Sequence, residues 1–402
     1  MNKQKVPKLR FPGFTGEWVD KRLGDVAEII DGDRGLNYPK QEDFSSNGYC
    51  LFLNAKNVTK GGFIFNETQF ISESKDNQLR KGKLVKGDIV LTTRGTVGNF
   101  AHYVNTVQYC NVRLNSGMVI LRNMTNNSTE FYYKYFYTDI FNAQIKKILF
   151  GSAQPQLTIG EIKKFKIAQP TLPEQNKIAN FLADIDTKIE KLARKKELTE
   201  QYKKGAMQKI FSQKIRFKDE SGKNYPDWEE NRLAEVCECL DNKRVPLNEK
   251  ERNSMQGEIP YYGANGIVDY VSDFIFNEPL ILLAEDGGNF DEYRDKPIAQ
   301  FIKGKSWINN HAHVLRANKL SLINFMFYSL VHKDIRKYIA GSSRAKLNKS
   351  DMLLIQLDLP CLQEQKKIAD FLVDLDTIIE HIDKELAMLK EFKKGLLQGM
   401  FV

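Results

Sequence analysis

The sequence predicts an α+β chain: two globular bodies separated by two long antiparallel helices that form a coiled coil, the whole arranged as a pseudo-twofold internal repeat. Three observations lead there. A 42-residue amphipathic segment occurs twice, as PTLPEQNKIANFLADIDTKIEKLARKKELTEQYKKGAMQKIF from Pro170 and PCLQEQKKIADFLVDLDTIIEHIDKELAMLKEFKKGLLQGMF from Pro360, with nearly half of the aligned positions identical. The stretches that open each half also match, pairing Phe11 with Phe217, Trp18 with Trp228, Leu23 with Leu233 and Val26 with Val236. Between the matched ends lie bodies with period-two apolar alternation and little shared sequence.

The helices come first because their pattern is strongest. In the second copy Ile368, Leu372, Leu375, Ile379, Ile382, Leu386 and Leu389 alternate at spacings of four and three, the a/d seam of a coiled coil. In the first copy Ile178, Leu182, Ile185, Ile189 and Leu192 keep that seam. Lys196, Thr199 and Lys203 then break it, and Leu198, Tyr202 and Ala206 continue on a shifted face. Pro173 or Pro360 precedes each helix and Glu174 or Glu364 sits in its first turn, where an acidic side chain suits the helix dipole. A helix of about 38 residues would span roughly 57 Å at 1.5 Å per residue, longer than a small domain is wide, so the two copies are expected to pack mainly on each other.

The bodies read as strands joined by glycine-containing turns: GDIVLTTRGTVGNFAHYV and GMVILRN in the first, EPLILLAEDGGNF and KGKSWINNHAHVLRAN in the second. Each is followed by a shorter helical stretch, STEFYYKYFYTDIFNAQIKKI and SLINFMFYSLVHKDIRKYI. The expected boundaries are a first body over residues 1–160, a helical region over 161–213, a second body over 214–350 and a second helical region over 351–402.

Composition narrows the function. The 402 residues carry a formal charge of +9, which favours a polyanionic partner. The basic excess is concentrated in Lys191 to Lys218 of the first helical region. No apolar run is long enough to cross a membrane. The opening MNKQKVPKLRFPGF has no signal-peptide core, so the expected location is the cytoplasm. Five scattered cysteines are expected to be reduced, and Cys237 and Cys239 lack a second pair at zinc-finger spacing. His311 and His313 show no third ligand, so no metal site is expected. Phosphate-binding loops, dinucleotide fingerprints, HExxH and nucleophile elbows are all missing, and no catalytic residue is assigned.

What the bodies offer is basic, amide and aromatic side chains near turns. The first has Arg34, Lys56, Asn57, Thr92, Thr93, Arg94 and Asn111. The second has Lys243, Arg244, Tyr261, Tyr262, Asn265, Lys303, Lys305, Trp307, Asn309, Asn310, His311, Arg344 and Lys346. Arg and Lys pair with guanine edges or phosphates and Asn with adenine edges, so these are the candidate DNA-binding residues.

The duplicated PxLxEQxKIAxFLxDxDTxIE segments, the RF…W…RLxxV openings and the divergent bodies together resemble the specificity subunit of type I restriction-modification enzymes, across essentially the whole chain. The resemblance implies that the bodies are target-recognition domains, each reading one half of a bipartite site on double-stranded DNA. It implies that the helical repeats set the spacing and dock two modification (methyltransferase) subunits, which supply S-adenosylmethionine, with restriction/translocase subunits joining through the complex. No cofactor is then expected in this chain. If each helix grips one modification subunit, identities outside the seam mark the grip: Glu174 with Glu364, Gln175 with Gln365 and Phe181 with Phe371. Two other classes remain open on the residues alone: an enzyme with an unfamiliar active site, and a coiled-coil adaptor that binds only proteins.

Overall fold

The computed structural model describes residues 5–150, 155–341 and 345–402. The chain forms two compact units: a first of Met1–Leu192 with Glu385–Val402, and a second of Ala193–Lys384. The divisions fall inside the long helices, Leu172–Phe211 and Leu362–Gly399, so each unit owns the start of one helix and the end of the other. This differs from boundaries drawn at the helix ends, because helix halves bury their apolar stripes within a unit's own core.

In the first unit the strand Val19–Arg22 pairs antiparallel with Lys166–Gln169. A four-stranded antiparallel sheet follows in the order Ala27–Asp31, Met118–Asn123, Ile89–Thr92, Phe100–His102. Period-two alternation sends Ile89, Leu91, Val119 and Leu121 to one core, and Val90, Met118 and Ile120 to another on the opposite face. The first core is closed by the helices Thr129–Phe136 and Asp139–Leu149, capped by Ser128 and Thr138. The second lies under a three-stranded sheet of Phe70–Ile71, Cys50–Leu53 and Val112–Leu114.

The second unit repeats the plan. Glu229–Arg232 pairs with Gln356–Leu359 in the equivalent register. The four-stranded sheet runs Cys237–Cys239, Ala312–Ala317, Leu280–Ala284, Ala299–Ile302. A second sheet, built on the long hairpin Gln256–Gly263 and Gly266–Val271, includes Lys305–Ile308 and Phe276–Asn277. The stretch Ser321 to Ile339 is not one helix: Ile323–Leu330 is helical and a short 3₁₀ turn, Arg336–Tyr338, follows. The break has local causes. His332 Nδ1 bonds the Tyr293 carbonyl (2.7 Å), and the Asp334 carboxylate accepts from the Arg336 N–H, offering the backbone an alternative to continued helix.

Helix pairing inside each unit is antiparallel. In the first, Lys393 and Lys188 pair with Asp186 (2.5 Å) and Glu385 (3.0 Å); in the second, Lys196 pairs with Asp383 (2.7 Å) and Lys203 with Asp376. The expected shift of face after Leu192 does not occur. Leu198 and Tyr202 are exposed, whereas Lys196, Thr199 and Lys203 stay half-buried in line with the earlier seam. Two carboxylates on the facing helix accept the lysine heads while the stems cover apolar surface. Among the described residues, no helix is long and apolar enough to cross a membrane.

Candidate nucleic-acid interface

Each unit is anchored by the same clasp. In the first, Arg10 Nε and Nη2 donate to both oxygens of Glu174 (2.8 Å each), Trp18 Nε1 donates to Glu174 Oε1 (3.4 Å), and Phe11 meets Phe181 edge-on at 5.5 Å. In the second, Arg216 Nε and Nη2 donate to Glu364 (3.2 and 2.6 Å), Trp228 Nε1 donates to it at 3.1 Å, and Phe217 meets Phe371 at 5.8 Å. Gln175 accepts from Ser128 N and donates to the Pro170 carbonyl; Gln365 accepts from Leu322 N and donates to the Pro360 carbonyl. A fork-to-carboxylate pair with a third donor fixes each opening segment on the first turn of its helix.

The residues expected to grip a partner are engaged inside their own units. Glu174, Gln175, Glu364 and Gln365 are at most 1 % exposed and hydrogen-bonded inside their own units, and Phe181 and Phe371 are half-buried beside those cores. Their retention in both copies is explained by the clasp.

The turns at one end of each four-stranded sheet carry the divergent chemistry. In the first unit the turns after Asp31 and Thr92 and before Met118 converge. Thr93 N and Arg94 N donate to Gly117 O (2.8 and 3.1 Å), and Arg34 Nη2 reaches Ser116 O at 3.4 Å. Gly32 is required there, because a Cβ would stand 2.3 Å from Asn115 O. Arg34 is exposed and paired with Asp31 (2.9 Å); Arg94 is exposed, and no carboxylate partner is found for it among the described residues. Lys56 is exposed and paired with Glu67; Asn111 is half-buried. Three candidates turn inward instead. Asn57 donates to Ile64 O and Glu67 O, Thr92 bonds Thr96 O, and Thr93 bonds Gly117 O, each buried and serving the turn. At the other end of the Thr92 hairpin, where His102 pairs with Ile89, Glu130 would be raised by burial, but His102 and Lys134 outweigh that and hold its carboxyl down to about 2.

The same end of the second unit's sheet is acidic. Asp241, Glu285 and His313 bring ligand-type atoms within 4.8 Å of one another. Arg244 takes up that charge, with Nη1 2.7 Å from Glu285 and Nη2 3.3 Å from Asp241, and Lys346 adds a pair to Glu285 at 3.3 Å. The donor set therefore fits an internal ion-pair network rather than a metal ion. His313 is buried between Asp241 (2.6 Å) and the Leu347 carbonyl (2.8 Å). Burial works to raise Asp241, but His313, the Val314 N–H and Arg244 hold it below the usual carboxylate range. His311 faces away, paired with Asp286 at 2.6 Å, so the two imidazoles do not converge. Cys237 is buried, which pushes its thiol up to about 12 and opposes thiolate ligation.

Around this network the candidates sort by exposure. Lys243, Asn265, Lys303, Lys305, Asn310 and Lys346 are exposed and His311 half-exposed; Asn265 donates to Gly287 O and Lys305 stands over the Phe274 ring. Arg244, Tyr261, Trp307 and Asn309 serve the fold: Tyr261 OH accepts from Leu247 N, Trp307 Nε1 donates to Val245 O (2.7 Å), and Asn309 Oδ1 accepts from His311 N. Tyr262 packs half-buried under the sheet. Arg344 lies outside the described residues. Asp286, Arg252, Ile267 and Val268 line one hollow with Asn265, Asn310 and His311, and reading by residue type passed over Asp286, Ile267 and Val268 because carboxylates and aliphatics carry no DNA signal on their own.

A duplicated clasp under two sheets whose turn ends differ in charge defines a recognition protein with two dissimilar heads. The profile of the family described as type I restriction modification DNA specificity domain matches residues 15–200 and 225–391, and the chain belongs to that family. Such specificity subunits are the non-catalytic components that supply DNA recognition and assemble with the other subunits of the restriction-modification complex. Among relatives, a putative type I restriction enzyme MjaX specificity subunit of Methanocaldococcus jannaschii is 25% identical over 98% of this chain and 95% of its own. A putative type I specificity subunit of Haemophilus influenzae is 36% identical, over 35% of each chain. The fold matches the crystal structure of a type I S subunit from M. genitalium, with a TM-score of 0.65 at 19% identity over 99% of both chains.

Proposed function

We propose that the two units read the two halves of an asymmetric, interrupted site on double-stranded DNA. The single observation that carries this reading is the contrast just described: identical clasps hold sheets whose equivalent turns present exposed arginines in one unit and a histidine, amide and carboxylate set in the other. Exposed Arg34 and Arg94 suit guanine edges or phosphates; Asn265, Asn310 and His311 suit bases offering both donors and acceptors. The expected boundaries, 1–160 and 214–350 for the recognition domains, remain the units of exchange. The long helices act as a coiled coil that sets the spacing between half-sites, and the complex holds two modification subunits that bring S-adenosylmethionine, with restriction subunits joining in the cytoplasm. The test is a body exchange. Replacing residues 217–345 by the equivalent body of a relative should change the methylated sequence in one half-site and leave the other untouched. A change in both halves would refute modular reading.

A further inference from the structure

The repeat supplies an internal control for a cavity in the second unit. Phe131 packs on Trp18 in the first unit as Phe325 does on Trp228 in the second, and Ser128 N and Leu322 N both donate to the clasp glutamine. On this register Lys134 corresponds to Tyr328, and both reach the matched seam aspartate, Asp186 or Asp376. The next position is Tyr135 in the first unit and Ser329 in the second.

Tyr135 is fully enclosed. Its ring lies 5.6 Å from Phe401, and its hydroxyl donates to the Val402 carbonyl (3.0 Å) and accepts from Ala168 N (3.2 Å). The counterparts in the second unit are Phe211 for Phe401 and, by strand register, Asp358 for Ala168. With serine in place of tyrosine, both line an open cavity of about 520 Å³, together with Met207, Trp228 and Lys333. That volume is in the range of small-molecule sites. Lys333 and His332 follow Ser329 on the cavity wall. Lys333 is half-buried, and burial lowers its ammonium below the usual range. The Asp358 carboxylate acts on it in the opposite sense, but no ion pair joins the two among the described residues.

The geometry points to a binding site for a small aromatic carboxylate in the second unit, a hydroxyphenyl ring occupying the space that Tyr135 fills in the first. The ring stacks between Phe211, Trp228 and Met207. Its hydroxyl meets the Asp358 N–H as the Tyr135 hydroxyl meets Ala168 N–H, and its carboxylate turns back past Ser329 to Lys333. This site is separate from the DNA-reading turns, so its failure would leave the reading of half-sites standing.

The probe is p-hydroxyphenylacetate, titrated into the full chain by calorimetry and ligand-observed NMR, with p-cresol as the uncharged comparison. Saturable binding of the carboxylate is expected. Ser329→Tyr should weaken it at least about tenfold by restoring the first unit's packing. Met207→Phe narrows the cavity from the helix side and guards against a folding defect in the first variant. Lys333→Gln should weaken the carboxylate several-fold and leave p-cresol unchanged. No saturable binding, or binding that survives both filling variants in folded protein, overturns the site. A chain that ignores the probe but loses its modification subunits on Ser329→Tyr would show a protein side chain as the occupant, which also overturns it.

Discussion

The two units differ least at their bases and most at the turn ends of their sheets. At the bases an arginine, a tryptophan, a glutamate and two phenylalanines recur with the same bonds. At the sheet ends one unit presents Arg34 and Arg94, and the other neutralises Asp241 and Glu285 internally through Arg244 and His313. Duplication has kept the contacts that fix where each sheet stands and released those that face outward. A clasp residue has several partners at once, so a change there strands a buried charge, whereas a change at a turn end alters one exposed group.

The comparison can be broken most forcefully at the seam. Leu182 and Leu372 occupy equivalent, fully buried positions. Leu182→Asp or Leu372→Asp should each cost roughly 3–5 kcal/mol by burying an unpaired carboxylate. Denaturant unfolding measures it, and a tolerated aspartate at either site would show that its helix half is not part of that core.

The clasps come next. Glu174→Gln and Glu364→Gln each remove a charge-assisted fork, with an expected loss of about 1.5–3 kcal/mol. The two losses should agree within about 1 kcal/mol if the clasps are equivalent. Unequal losses in melting experiments would show that duplication of sequence had not duplicated function.

Arg94→Ala sharpens the difference between the turn ends. It should relax discrimination by about 1–3 kcal/mol at one position of one half-site. Methylation mapping with the variant reads the result directly; uniform weakening across all sequences would make Arg94 a phosphate contact.

The smallest effect concerns pH. With its carboxyl held at about 2 in the fold against an ordinary value near 4.5, ionised Glu130 stabilises the first unit above that ordinary value. The contribution is lost as pH falls through about 2. Its size, after screening at a partly exposed site, is about 1–2 kcal/mol. Glu130→Gln should flatten the acid limb of the stability profile; an unchanged limb would show that His102 and Lys134 do not hold the charge. The second unit has Asn324 in the equivalent place, which carries no carboxyl to ionise.

The sequence by itself determined the repeat, the two long helices and the α+β character of the bodies, because helix periodicity and strand alternation are local patterns. GMVILRN is the strand Met118–Asn123, and LILLA is Leu280–Ala284. Only the tertiary structure decided where the polar candidates face. Asn57, Thr93, Tyr261 and Trp307 have the chemistry of base readers, yet backbone groups outside the local strand pattern claim their hydrogen bonds. Glu174 and Gln175 read as outward grips because nothing in the helix pattern shows that Arg10, Trp18 and Ser128 N converge on them from distant segments. Lys196 and Lys203 read as breaks in the seam until Asp383 and Asp376, on the other helix, supply the charges that keep them there. Backbone pattern is written in neighbours along the chain, whereas the partner of a polar side chain is chosen across it, by whichever unsatisfied donor or acceptor folding brings within reach.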